Sequence, residues 1–127
     1  LKLNLYLTPV KAGFPSPADD YIEKSLDIND YLVKNPDATF LVRAQGDSMK
    51  DAGIISGDIL VVDRSVRPVN NCIVLAVLNS EFTVKKFYKQ ADTVRLVPEN
   101  SDYKCIIVKK SDDFEVWGVV TASIRKY

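Results

Sequence analysis

Leu1, Leu3, Leu5 and Leu7 alternate with Lys2, Asn4 and Tyr6, a period of two that predicts a strand or an extended arm. Pro9 interrupts the alternation, and Pro15 and Pro17 hold the next stretch in extended or turn geometry. Residues 1–18 are therefore expected to form a flexible N-terminal arm, with the domain proper over residues 19–127. From Asp19 to Lys34 the pattern is mixed. Ile28 and Leu32, beside Tyr31 and Val33, predict one or two helical turns, capped by Asp27 and stopped by Asn35-Pro36. Beyond this point the chain reads as β. Short runs rich in Val, Ile and Leu occupy Thr39–Ala44, Asp58–Asp63 and Cys72–Leu78, followed by Glu81–Tyr88, Thr93–Val97, Lys104–Lys109 and Phe114–Ile124. Asn79-Ser80 between two of them predicts a tight hairpin turn. The expected fold is mostly β, a compact antiparallel sheet, twisted or partly closed, with the extended arm before it.

A chain of 127 residues with 46% hydrophobic and 27% charged residues fits a single globular domain. At that length folding buries roughly two thirds of the unfolded surface, enough for a core. Seventeen basic residues balance seventeen acidic ones, which argues against a dedicated polyanion binder. The aromatics are scattered without a basic stripe, so direct sequence-specific DNA binding is not expected. No apolar run is long enough to span a membrane, and residues 1–12 lack the apolar core of a signal peptide. The expectation is a cytoplasmic chain without membrane contact. It starts at Leu1 rather than Met, as a chain does whose natural N-terminus is missing or processed.

Histidine is absent, which removes the Ser-His-Asp triad, the Cys-His dyad and every His-ligated metal site. Cys72 and Cys105 alone cannot make a zinc site, and they pair only if the fold brings them together. Buried, reduced thiols are the commoner reading of such a pair. Asp47, Asp51, Asp58 and Asp63 could in principle hold a cation, but their spacing matches neither an EF-hand nor another metal loop. Asp58 and Asp63 are better explained as turn and strand-end residues. No metal and no cofactor is expected.

The most unusual stretch runs from Gln45 to Gly53, where a strand leads straight into Gly46-Asp47-Ser48. A serine in that position, beside a glycine, can be presented with backbone N–H groups free, the geometry an oxyanion hole needs. It is not a nucleophile elbow, because Lys50 stands where that motif requires Gly. Taken alone the tripeptide is a turn. The lysines change the balance, since a serine nucleophile without histidine needs another base, and a neutral lysine serves. In Phe82–Phe87, strand alternation puts Thr83, Lys85 and Phe87 on one face and Val84 and Lys86 on the other, so one lysine faces inward or along an edge. Lowering a lysine from about 10.4 to about 7.5 takes roughly 4 kcal/mol of destabilisation of its charged form, which burial can supply. The plainer reading is two solvated lysines on an edge strand.

Several spaced motifs together decide between these readings. Gly13-Phe14-Pro15-Ser16-Pro17-Ala18, Asp20-Tyr21-Ile22-Glu23 and Leu26-Asp27-Ile28-Asn29 resemble the UmuD-type proteins of the bacterial SOS response, members of the LexA-like self-cleaving serine peptidases. The resemblance continues through Gly46-Asp47-Ser48-Met49, Gly57–Asp63 and Glu81–Lys86, then through Pro98-Glu99-Asn100-Ser101 and Trp117-Gly118-Val119-Val120. It departs at Asn71-Cys72, where a small turn residue followed by Asp would be expected.

This resemblance implies a fold like the LexA C-terminal domain and a serine–lysine dyad, with Ser48 as nucleophile and Lys85 as general base. It implies backbone N–H groups of Ser48 and its neighbour Met49 as the oxyanion donors, and a self-cleavage site between Ala12 and Gly13. The stretch from Ala12 to Ser48 extends to roughly 100 Å, so attack within one chain is feasible, and attack on a partner chain is not excluded. By resemblance the processed form is a homodimer that joins a Y-family DNA polymerase subunit in error-prone translesion synthesis. Cleavage would be stimulated by a recombinase filament on single-stranded DNA. Two alternatives stand beside this reading: the C-terminal dimerisation and autocleavage domain of a LexA-type repressor, and a non-catalytic binding module of the same fold. A signal peptidase is disfavoured by the lack of a membrane anchor.

Overall fold

A computed structural model describes residues 1–6 and 22–127. It divides into two compact units, Leu1–Lys34 and Asn35–Tyr127. In the first, β1 (Lys2–Tyr6) pairs antiparallel with β2 (Ile22–Asp27), with Leu3 opposite Leu26 and a bulge between Leu5 and Tyr6. Leu3 and Leu5 of the alternating run thus lie in a strand. Its partner β2 has no clean alternation of its own and was not legible beforehand. Asp27 ends β2 and caps α1 (Ile28–Leu32) by accepting from the Asp30 N–H at 3.2 Å, and the Val33 N–H closes the helix on Asn29 O. The proline-rich part of the arm, with Ala12 and Gly13, lies outside the described residues.

The second unit is a seven-stranded antiparallel sheet: β3 (Thr39–Arg43), β4 (Ile59–Asp63), β5 (Ile73–Leu78), β6 (Glu81–Gln90), β7 (Thr93–Val97), β8 (Ile106–Ile107) and β9 (Phe114–Ile124). Their spatial order is β3-β4-β9-β5-β6-β7-β8, so the last strand lies inside the sheet, between β4 and β5. A mostly β fold with an antiparallel sheet was the expectation, and it holds. β4 is a continuous apolar run buried along most of its length, as suits a central strand covered on both faces. Two clusters form the core, one around Met49, Ile54, Leu60, Val62 and Leu75, the other around Val74, Ala76, Phe87, Leu96 and Val119. Each such large side chain contributes about 1.5–3 kcal/mol by leaving water.

β9 serves both halves because it bends. It pairs with β4 on one side and β5 on the other, and its register slips opposite Val61/Val62 and opposite Leu75/Ala76. At the second slip Leu75 faces Gly118 and Ala76 faces Val116, so Trp117 is the extra residue that the bulge re-aims. Gly118 has no room for a side chain, since a Cβ there would stand 2.6 Å from Val62 Cγ1 and 3.0 Å from Asp63 O.

The Asn79-Ser80 turn has φ of 49° and 69°, a left-handed pair that matches the twist of the strands it joins. Asn79 secures it by donating to Asp112 Oδ1 and accepting from the Asp113 N–H. Asn71, at the departure from the family pattern, also adopts positive φ (76°), which asparagine tolerates better than most residues. β8 is shorter than the run Lys104–Lys109 predicted. Ile106 and Ile107 pair with β7, the Val108 N–H adds one bond to Val94 O, and the Lys109 N–H turns to Asp112 Oδ2 instead of continuing the ladder.

Candidate active site

Ser48 follows β3 because the ladder is broken just before it. Ala44 still pairs with the β4 side, its N–H donating to Asp58 O and its carbonyl accepting from the Gly57 N–H. Gly46 then takes φ of +85°, a conformation that a side chain would strain, and turns the chain out of the sheet. A single 3-10 turn, Lys50–Ala52, follows, and Gly53 ends it at φ +84°. Met49 anchors this loop by burying its side chain beside Ile54. The serine is held at a surface between a fixed strand end and a buried methionine.

Lys85 lies on β6 opposite Val74 of β5, and its side chain is half-buried. Its Nζ is 3.1 Å from Ser48 Oγ, 2.7 Å from Thr83 Oγ1 and 3.1 Å from Val84 O. Burial lowers its pKa from the ordinary 10.5, because an ammonium loses solvation that a neutral amine does not need. All three contacts run from Nζ to an oxygen, and loss of the proton that faces Ser48 would leave a lone pair turned towards its hydroxyl. Lys86 points to the other face, where its Nζ pairs with Glu99 at 3.1 Å. Of the two adjacent lysines, one is turned inward and the other is an ordinary ion-paired surface group.

The two side chains meet at a groove of about 520 Å³. Ser48, Met49 and Leu75 line it, together with the aromatic side chains of Phe40, Phe82 and Trp117. Phe82 and Phe40 both pack edge-on against Trp117, with centroids 5.1 and 6.4 Å away, and the Arg64 guanidinium lies over the indole at 4.9 Å. A groove so lined has room and apolar surface for small or apolar side chains. Among the described residues, the N–H groups of Ser48 and Met49 donate to no other protein group.

Of the four acidic residues around the serine, Asp47, Asp58 and Asp63 are held in internal bonds, whereas Asp51 is exposed. Asp58 is buried and accepts two bonds from Arg125, at 2.6 and 2.7 Å, plus the Ile55 N–H, which lowers its pKa to about 2. Asp63 accepts from Asn35 and Ser65, which lower its pKa in turn. Asp47 Oδ1 accepts from the Tyr103 hydroxyl at 2.6 Å, and the adjacent carboxylate raises the tyrosine pKa. Among the described residues no three acidic or sulfur side chains form a metal cluster. Cys72 is half-buried, whereas Cys105 is exposed rather than buried as expected, and both are free thiols.

Sequence reasoning brought Ser48 and Lys85 forward, and the structure puts them in contact. It gave no role to the segment behind the serine loop. There the Glu99 N–H donates to Ser48 O, Glu99 O accepts from the Asp51 N–H, and Asn100 Nδ2 donates to Asp47 O. Thr83 was placed on the face of Lys85 by alternation, but its bond to Nζ was not foreseen.

Comparison with known proteins supplies the remaining finding. The sequence profile of the Peptidase S24-like family matches residues 4–121. Protein SamA of Salmonella typhimurium is 44% identical over 122 residues, covering 96% of this chain and 84% of that protein. Protein MucA of Escherichia coli is 41% identical over 123 residues, with the same two coverages. A LexA repressor of Bordetella parapertussis is 38% identical over 117 residues, which are 91% of this chain but 53% of the repressor. No helix among the described residues is long and apolar enough to cross a membrane.

Proposed function

We propose that this chain, which belongs to the peptidase S24-like family, is a serine peptidase that cuts its own Ala12–Gly13 bond with Ser48 as nucleophile and Lys85 as general base. The resemblance to UmuD-type proteins of the LexA-like family holds over nearly the whole chain. One observation carries the assignment of roles: a half-buried lysine whose Nζ stands 3.1 Å from a serine hydroxyl, in a chain without histidine.

In this mechanism the neutral Lys85 amine takes the Ser48 proton as Oγ bonds to the Ala12 carbonyl carbon. The N–H groups of Ser48 and Met49 stabilise the oxyanion. Collapse of the tetrahedral intermediate breaks the C–N bond, and the Lys85 ammonium gives its proton to the departing Gly13 nitrogen. Lys85, neutral again, then takes a proton from water as that water attacks the acyl-enzyme ester, and returns it to Ser48 Oγ when the C–O bond breaks, which restores the dyad and releases Ala12 as a carboxylic acid that ionises in water. Thr83 and the Val84 carbonyl keep the amine aimed at Ser48 throughout. Small residues on both sides of the bond suit a narrow cleft.

The processed chain is inferred to be the homodimeric accessory component of an error-prone Y-family polymerase in the cytoplasm. A recombinase filament on single-stranded DNA would stimulate its cleavage. A repressor C-terminal domain is the second reading, favoured by the match to the Bordetella parapertussis repressor. The higher identity and fuller coverage of SamA and MucA rank it below the first.

Intact-mass spectrometry of the protein incubated alone at rising alkaline pH, beside Ser48→Ala and Lys85→Ala, tests the proposal. The expected result is a break between Ala12 and Gly13 that both variants lack. An uncut chain at every pH would leave a binding module, and cutting by Lys85→Ala would mean that another base acts.

A further inference from the structure

We propose that Asn100 is a positioning residue that sets the oxyanion hole from behind, by fixing the peptide plane that carries the Ser48 N–H. The inference rests on the self-cleavage reading above and extends it to a residue outside the groove.

A peptide unit is planar, and in the trans form its N–H points opposite to its C=O. No cis peptide occurs among the described residues. The carbonyl of Asp47 and the N–H of Ser48 therefore belong to one rigid plate, and whatever holds the carbonyl aims the N–H. Asn100 holds it from behind the loop: its Nδ2 donates to Asp47 O at 2.9 Å, beside a longer bond of 3.2 Å from the Lys50 N–H within the loop itself. The side chain is itself fixed, being only 5% exposed, with its Oδ1 accepting from the Asp102 N–H at 3.0 Å. The next plate is held in the same way. The Ser48 carbonyl accepts from the Glu99 N–H at 2.9 Å, which aims the Met49 N–H.

Neither Glu99 nor Asn100 lines the groove, whereas Gly46, Ser48 and Met49 do. Bonds drawn on the carbonyls from outside the groove leave the two N–H groups on the other side of the loop, without protein partners among the described residues. Tyr103 adds a third tie through the Asp47 carboxylate. Glu99 also joins this bracket to β6 through its ion pair with Lys86, next to Lys85 in the chain. A loop of Gly, Asp and Ser would otherwise be free to rotate those planes. Donors already aimed at the oxyanion need no reorganisation when charge develops, which is where their catalytic value lies.

The test compares first-order self-cleavage rates of the parent, Asn100→Ala and Asn100→Asp across alkaline pH, with Ser48→Ala as control and circular dichroism as the check of folding. Asn100→Asp keeps the size and the acceptor for the Asp102 N–H but removes the donor to Asp47 O. Both variants are expected to lose about 10²-fold in the plateau rate. In Asn100→Ala the midpoint of the pH profile should stay where the parent has it, because Lys85 is untouched. General loosening of the site would instead expose Lys85 and move the midpoint towards an ordinary lysine, and that shift would overturn the proposal. A parent that cuts beside folded Asn100 variants that cut equally fast would overturn the bracket and leave the dyad standing. If Asn100→Ala does not fold, the plateau rate of Asn100→Asp decides. A parent that never cuts would sink the self-cleavage reading and this proposal with it.

Discussion

Lys85 Nζ stands 2.7 Å from Thr83 Oγ1 and 3.1 Å from Ser48 Oγ, so one amine links a residue two positions earlier on its own strand to a loop far away in the sequence. Strand pairing fixes the first contact, since residues two apart share a face. The second depends on the loop after β3 being turned back over β6. Removing the amine is expected to lower cleavage by about 10²–10⁴-fold, measured as the rate of loss of intact chain for Lys85→Ala. The same burial that lowers the lysine pKa is a cost to folding. Lys85→Met should therefore raise the melting temperature by about 2–5 °C while slowing cleavage as much as Lys85→Ala does.

Thr83→Val keeps the shape of the side chain and removes its hydroxyl. The amine then loses its shortest partner and part of its aim. Cleavage is expected to fall about 10-fold or more, with the melting temperature little changed. A Thr83→Ser variant, which restores the hydroxyl, should recover most of the rate. Equal rates for Val and Ser would show that the bond to Nζ does not position the base.

Asp58 gives a pH dependence of stability with a definite sign. Its folded pKa is lowered to about 2 from the ordinary 3.8, chiefly by the bonds from Arg125. The stabilisation is present in full above 3.8 and is lost as pH falls towards 2. Thermal melts from pH 6 to pH 2 should show a drop in the parent that is smaller in Asp58→Asn. At neutral pH that variant should melt about 5 °C or more below the parent, because it leaves Arg125 without its partner. Parallel curves for the two proteins would remove Asp58 from the account of acid stability.

Gly118→Ala should destabilise by about 1–3 kcal/mol through overpacking. The added carbon meets a core valine and the β4 backbone, neither of which can move freely. Urea denaturation followed by tryptophan fluorescence measures this directly, since Trp117 is the sole tryptophan. An unchanged midpoint would mean that the β9 bulge relaxes to admit a side chain.

Much of this was legible beforehand because local chemistry and global fold agree in the second unit. Runs such as Ile59–Asp63 are too apolar and β-branched to be anything but buried strands, and Asn79-Ser80 matches its turn. β2 was hidden because Ile22–Asp27 mixes charged and apolar residues without alternation, and its place is set by pairing with β1. The strand order, with β9 inserted between β4 and β5, has no local signal at all. It follows from where the apolar faces meet. Ser48 and Lys85 were reached through the lack of histidine and the resemblance of their motifs. Their contact, and the bracket at Glu99 and Asn100, are long-range relationships that no spacing encodes.

The claim on which the account turns is that Lys85 is a base whose pKa is lowered by burial beside Ser48. The direct measurement is an NMR titration of the lysine side chains in Ser48→Ala, following the Lys85 Cε resonance with pH. The account predicts a Lys85 midpoint below the ordinary 10.5, below those of the exposed lysines, and coincident with the rise of the cleavage rate in the parent. A Lys85 that titrates with the exposed lysines, while the parent cuts at a pH far below that midpoint, would contradict it.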